Sequence, residues 1–312
     1  MNISPICLFV YNRPQETKAI LKSLSACRGA DRHPLFIFSD GPRNEQALEA
    51  VKAVREIIHR PMKFLSVEYY ESVDNNGLAK SIINGVGRIL EQYEQVIVLE
   101  DDLLLSVDFL EYMENALEVY KSNSLIWSIS GYSPDITIPL DYKRETYLTP
   151  RASSWGWATW RDRWEGIDWD VKDYFQFSRS REQRKQFDMG GNDLSRLLDL
   201  QQRGRISSWA IRWCYAQFVK RMYTVYPVKS KVSNQGFGQN ASHAGWNDTR
   251  HKVSLDSTSL EILPDIQPDF RIMESFKNHQ DLGVISKIGY FLRLHGLGYK
   301  VLQRFFKLII NR

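Results

Sequence analysis

Glu100, Asp101 and Asp102 follow the apolar, β-branched run Val96 to Leu99 without a break. Three adjacent carboxylates repel one another and lose hydration at a strand end, so a cation or a cluster of fixed donors has to offset the cost. A strand continuing in extended form through Asp102 directs Glu100 and Asp102 to one side and Asp101 to the other. Mn²⁺ or Mg²⁺ suits such oxygens, held by one or two carboxylates together with ligand phosphates. An exposed acidic turn ahead of a helix, whose N-terminal dipole favours negative charge, accounts for the same residues without a metal.

The elements that would position this triplet are visible around it. Ile6 to Tyr11, Leu35 to Ser39, Lys63 to Tyr70, Gln95 to Glu100 and Leu125 to Ser130 are short β-rich runs. Helical patterns separate them: Asn44 is placed to cap a helix with Leu48, Val51, Val54 and Ile58 on one face. Leu78, Ile82, Val86 and Ile89 line a second, and Ser106 is placed to cap a third that turns Phe109, Leu110, Met113 and Leu117 inward. Strands alternating with helices predict an α/β fold with a mostly parallel sheet covered on both faces. Ligands of such sheets bind at the carboxyl ends of the strands. The acidic triplet lies at one such end, and "SDGP" (Ser39 to Pro42) at another.

From about Tyr132 onward this rhythm is lost, and five tryptophans fall between Trp155 and Trp169. They fit either a stacking surface for a sugar ring or the core of a hydrophobic subdomain.

Composition narrows the function classes. The chain of 312 residues is 43% hydrophobic and 12% aromatic, as expected of a globular protein. A net charge of +4 with no basic motif argues against a nucleic-acid partner. Cys7, Cys27 and Cys214 show no metal-ligand spacing, and an odd cysteine count suits a reducing compartment. No leader or membrane span is read, so a cytoplasmic location is expected and the sequons at Asn240 and Asn247 read as chance matches. Residues 285–312 hold six Lys/Arg and no acid among large apolar side chains. This basic tail reads either as two short amphipathic helices on an anionic membrane surface, on the cytoplasmic face, or as helices packed on the domain.

"VLEDDLLLSVDFLEYM" resembles the Glu-Asp-Asp metal motif of the N-acetylglucosaminyltransferase I family, glycosyltransferases of the GT-A (Rossmann-like) fold. "VYNRPQETKAILKSL", "FIFSDGP", "NSLIWSISGY", "SSWGWATW" and "FGQNASHAG" are similar to further family segments in the same order. "NNGLAKSIINGV" resembles bacterial family 2 glycosyltransferases, and the likeness spans roughly residues 5 to 250. The resemblance implies a nucleotide-sugar-binding half (1–131), an aromatic-rich acceptor and catalytic half of the same domain (132–284), and the helical tail (285–312). Asp102 matches the metal contact, Asp101 a residue near the donor ribose, Glu100 the first acid of the motif and Asp40 the aspartate that recognises the uracil edge. Arg13 matches an arginine near the nucleotide, while Trp155, Gly156, Trp157 and Trp209 are the candidates for the acceptor or sugar pocket.

One departure stands out. The family's catalytic base lies in an Asp-Asp-Trp segment, where this chain has Ser207 and Ser208 before Trp209. An unassisted serine is a poor base, which leaves Asp193 and His243 as candidates; His243 also suits a metal, phosphate or structural role. The expectation is a glycosyltransferase using a UDP-sugar and Mn²⁺ or Mg²⁺ on a saccharide or lipid-linked saccharide acceptor, inverting as the resemblance implies, in bacterial surface polysaccharide or glycolipid synthesis. A noncatalytic nucleotide-sugar or glycan-binding protein is the alternative. A sugar nucleotidyltransferase is disfavoured, because "YNRPQET" offers no glycine for a phosphate loop.

Overall fold

Side chains of β1 (Ile6–Val10) alternate between two cores: Ile6, Leu8 and Val10 enter one, Cys7 and Phe9 the other. A strand buried on both faces belongs inside a covered parallel sheet, where an uninterrupted apolar run is the natural pattern. The computed structural model describes residues 3–236 and 251–283. The strands continue with β2 (Pro34–Ser39), β3 (Ser66–Glu71), β4 (Gln95–Glu100), β5 (Leu103–Leu105), β6 (Ile126–Ser130), β7 (Thr146–Thr149), β8 (Trp157–Trp160), β9 (Tyr223–Pro227) and β10 (Val232–Asn234). Among the described residues, eight form one sheet in the order β3-β2-β1-β4-β8-β6-β9-β7, and β10 pairs with β5 beside it.

The first four strands in this order are mutually parallel. β8 runs antiparallel to both its neighbours, β6 and β9 are parallel, and β7 is antiparallel to β9. The protein is therefore α/β with a mostly parallel, mixed sheet. β8, from the tryptophan-rich half, inserts between β4 and β6, so a single sheet joins the two halves of the chain.

One core lies under α1 (Pro14–Ser25), α2 (Glu45–Ile58) and α4 (Phe109–Tyr120). The Asn44 side chain accepts the Ala47 N–H and caps α2, satisfying an N–H that the first turn leaves without a partner. Leu48 is 50% exposed and falls outside the core face on which Val51, Val54 and Ile58 lie. Asp108, not Ser106, occupies the N-cap position of α4, and its side chain makes no capping bond: its oxygens accept from the Ser106 hydroxyl and from Lys231, while the Ser106 carbonyl accepts the Phe109 N–H. Phe109, Leu110, Met113 and Leu117 are buried as their spacing predicts.

The opposite core is covered by α3 (Leu78–Leu90), with α5 (Arg161–Trp164), α6 (Tyr174–Arg179), α7 (Arg181–Phe187), α8 (Leu194–Gln202) and α9 (Trp209–Lys220). Trp127, Trp157, Trp164, Trp209 and Trp213 pack there ring against ring, Trp127 and Trp213 with centroids 4.4 Å apart. α10 (Phe270–Gln280) buries Ile272 and Phe276 against Tyr147 and Tyr226. Cys7, Cys27 and Cys214 are buried free thiols. Among the described residues no helix is long and apolar enough to cross a membrane; the basic tail lies outside them.

Candidate functional site

The carboxyl ends of β1 to β4 fall on one edge of the sheet, and the antiparallel β8 begins there. This connectivity gathers Arg13, Asp40, the Ser72 to Gly77 loop, Glu100 to Asp102 and the Trp155-Gly156 step along that edge. β4 ends at Glu100, and the chain turns at Asp101 and Asp102 before β5. The turn overrides the alternation expected of an extended strand. Asp102 Oδ2 lies 2.9 Å and Asp101 Oδ1 3.5 Å from the same atom, Arg13 Nη1.

Tyr11 N–H donates to Asp101 at 3.3 Å, and Gln235 N–H to the Asp102 carbonyl at 2.7 Å. The β5–β10 pairing lays Gly236 directly on the Asp102 carboxylate, where an added Cβ would collide with Oδ2. Burial, then repulsion from Asp102 and Asp101, holds Glu100 well above the usual carboxylate range. Burial also pushes Asp101 up, to about 7; Arg13 opposes the rise and Asp102 reinforces it. Among the described residues the triplet thus sets three carboxyl groups against one guanidinium, which contacts Asp101 and Asp102.

No protein-family model matches this chain.

Asp101 and Asp102 present hard oxygens converging on a cationic group, a donor set that fits Mg²⁺ or Mn²⁺ bound through one or two carboxylates plus ligand phosphates. Among the described residues no group of three or more His, Cys, Asp or Glu side chains is arranged to hold an ion on its own. Any such ion would take its remaining ligands from a bound phosphate and water.

The other expected site residues part company. Asp40 sits at the end of β2, 8% exposed, and its two oxygens accept four hydrogen bonds from the protein. A carboxylate has about four lone-pair sites, so in this arrangement it has none left for a uracil imide. Asp193 is gripped by Arg151 through two bonds, Nη1 to Oδ1 at 2.7 Å and Nη2 to Oδ2 at 2.9 Å. Burial opposes the Arg151 charge, but Asp193 outweighs it and raises the guanidinium's pKa. Both Asp193 oxygens are thus engaged by Arg151.

Trp157 and Trp209 are 0% and 3% exposed inside the tryptophan core, so their faces offer no sugar platform. Gly156 accepts the Gly131 N–H at 2.7 Å, in a backbone contact too close for a side chain: a Cβ there would meet Val232. Trp155 alone of the four is a partly exposed side chain at the edge, with Tyr132 and His251 edge-on to its ring at centroid distances of 4.5 Å and 5.4 Å. Ser208 caps α9 by accepting the Ile211 N–H. His243 lies outside the described residues. The sequence reading missed the Asn75-Asn76-Gly77 segment as a partner of Asp40, because nothing local connects positions 35 to 37 residues apart.

Proposed function

We propose that this protein is a GT-A type, metal-dependent glycosyltransferase that moves a sugar from a UDP-sugar to a saccharide acceptor. The observation that carries this reading is the convergence of Asp101 and Asp102 on one cationic point at the carboxyl edge of the sheet, where α/β sheets bind their ligands. Asp102, with Asp101 beside it, would hold Mn²⁺ or Mg²⁺. When bound, that ion supplies charge stabilisation for the departing nucleoside diphosphate. Arg13 sets the carboxylate orientation and adds a fixed positive charge beside the anionic donor. Trp155, with Tyr132 against its ring, offers the partly exposed aromatic surface suited to a sugar's C–H face.

Inversion of configuration follows from the family resemblance, as do a bacterial surface polysaccharide or glycolipid product and a lipid-linked acceptor. Residues 285–312 would hold the enzyme to the cytoplasmic face of an anionic membrane. A noncatalytic nucleotide-sugar-binding protein is the second reading, favoured by the locked Asp193 and the capping Ser208. Incubating the full chain with radiolabelled UDP-sugars, Mn²⁺ and a panel of saccharide and lipid-linked acceptors separates the two. Labelled, elongated acceptor supports the transferase; nucleotide binding without transfer or donor hydrolysis supports the binding protein.

A further inference from the structure

Asp40 has the chemistry of a nucleobase reader and the geometry of something else. Its Oδ1 accepts the Gly41 N–H at 3.0 Å and the Asn76 N–H at 2.8 Å. Its Oδ2 accepts the Gly77 N–H at 2.8 Å and the Asn75 amide at 3.1 Å. The same Asn75 Nδ2 donates to the Gly41 carbonyl at 2.8 Å, and Gly41 packs so tightly against the Val73 and Asp74 backbone that a Cβ would overlap it. On the other flank Ser72 N–H donates to the Ser39 carbonyl at 2.9 Å, and Arg55 donates to the Ser72 carbonyl at 2.6 Å. The loop closes at Gly77, whose φ of 76° favours glycine, immediately before α3.

These contacts fix the orientation of the Asn75 amide. Both groups that Nδ2 meets are acceptors only, so the nitrogen must face Asp40 and Gly41 and the oxygen must face away. Asn75 is partly exposed, and among the described residues its Oδ1 takes no hydrogen bond. The loop therefore presents one oriented acceptor on the edge that also carries Arg13 and Asp102.

We infer that Asp40 is a positioning residue that fixes the Ser72 to Gly77 loop, and that the oriented Asn75 Oδ1 is the acceptor that takes the imide N3–H of a uracil base. The second half rests on the UDP-sugar reading; the first does not. Asp40 acts through Asn75: its negative charge gathers the two backbone N–H groups and the amide that set the loop. An imide N–H needs an acceptor, which Asn75 Oδ1 supplies. Cytosine carries an unprotonated N3 and gains nothing from it, so the arrangement discriminates uridine from cytidine nucleotides.

The test uses the full-length protein, with Asp40→Asn and Asn75→Ala, and reads two quantities. Hydrogen exchange of the 72–78 segment without ligand should rise about tenfold or more in Asp40→Asn, because an amide retains only one acceptor oxygen. UDP and CDP affinities, measured with Mn²⁺, should show Asn75→Ala weakening UDP about tenfold or more and CDP far less, with the exchange of Asn76 and Gly77 rising less than in Asp40→Asn because their own bonds to Asp40 remain. Wild-type exchange in Asp40→Asn together with weakened UDP binding would overturn the inference and return Asp40 to the base. Equal loss of UDP and CDP in Asn75→Ala would overturn the acceptor role. If no nucleotide binds wild type, the acceptor role falls with the donor reading, while exchange still decides what Asp40 does.

Discussion

Arg13 Nη1 lies 2.9 Å from Asp102 Oδ2, and the same nitrogen is 3.5 Å from Asp101 Oδ1. The residue after the first strand and the turn after the fourth are thus tied across adjacent parallel strands. Arg13→Gln removes the positive charge from two partly buried carboxylates. It should cost about 1–3 kcal/mol in urea unfolding with chelator present. Mn²⁺ should restore part of the loss, a recovery that a purely structural ion pair would not show.

Asp101 works in the opposite direction. Its burial and its proximity to Asp102 disfavour the carboxylate. Asp101→Asn retains an acceptor for the Tyr11 N–H while removing the repulsion. In EDTA this variant should melt a few degrees above wild type, and divalent cations should stabilise it less than they do wild type. A lower melting point in EDTA would mean that the Arg13 contact outweighs the burial penalty.

Asp193 holds the buried Arg151 guanidinium through both of its oxygens. Asp193→Ala leaves the Arg151 guanidinium buried without its carboxylate and should cost about 3–5 kcal/mol in denaturant unfolding. Asp193→Asn should cost less, since an amide oxygen still accepts. Under conditions where each variant is folded, glycosyl transfer per folded molecule should stay near wild type; a loss of several orders of magnitude in Asp193→Asn would restore it as the base.

Acid should weaken the fold through His33. Burial lowers its pKa, with Arg32 acting the same way and the Ser4 carbonyl, Glu114 and Asp31 opposing. Its Nδ1 lies 2.9 Å from the Ser4 carbonyl and 3.6 Å from Glu114. In the unfolded chain the ring takes a proton near pH 6.5, while the folded state resists until lower pH. Unfolded molecules therefore bind more protons in that window, and stability falls as pH drops through it, by at most about 1.4 kcal/mol per pH unit from this group. Urea midpoints between pH 7.5 and 5 should show the fall, and His33→Gln should flatten it.

Particular residues show what was legible in the sequence. β1, β2 and β4 stand out because burial on both faces demands unbroken apolar runs. β8 does not, because "WATW" suits a core strand and a sugar platform equally; only its pairing with β4 and β6 decides for the core. The acidic triplet was conspicuous as chemistry, but the turn that swings both aspartates onto Arg13 was not. Asp40 and Asp193 were both recognisable as acids at element ends. Their partners, Asn75 to Gly77 and Arg151, lie 35 to 42 residues away, beyond any local periodicity.

The central claim is that the acidic turn binds a nucleotide sugar through a divalent ion. Thermal stability of the full chain with UDP-, GDP- and CMP-sugars, with and without Mn²⁺, in wild type and Asp102→Asn, tests it most directly. A ligand at about 100 times its dissociation constant adds roughly 2.7 kcal/mol, a shift of a few degrees for a protein of this size. The account predicts a Mn²⁺-dependent shift with a UDP-sugar in wild type and none in Asp102→Asn. An equal shift in both proteins, or no shift with any nucleotide sugar, would contradict it.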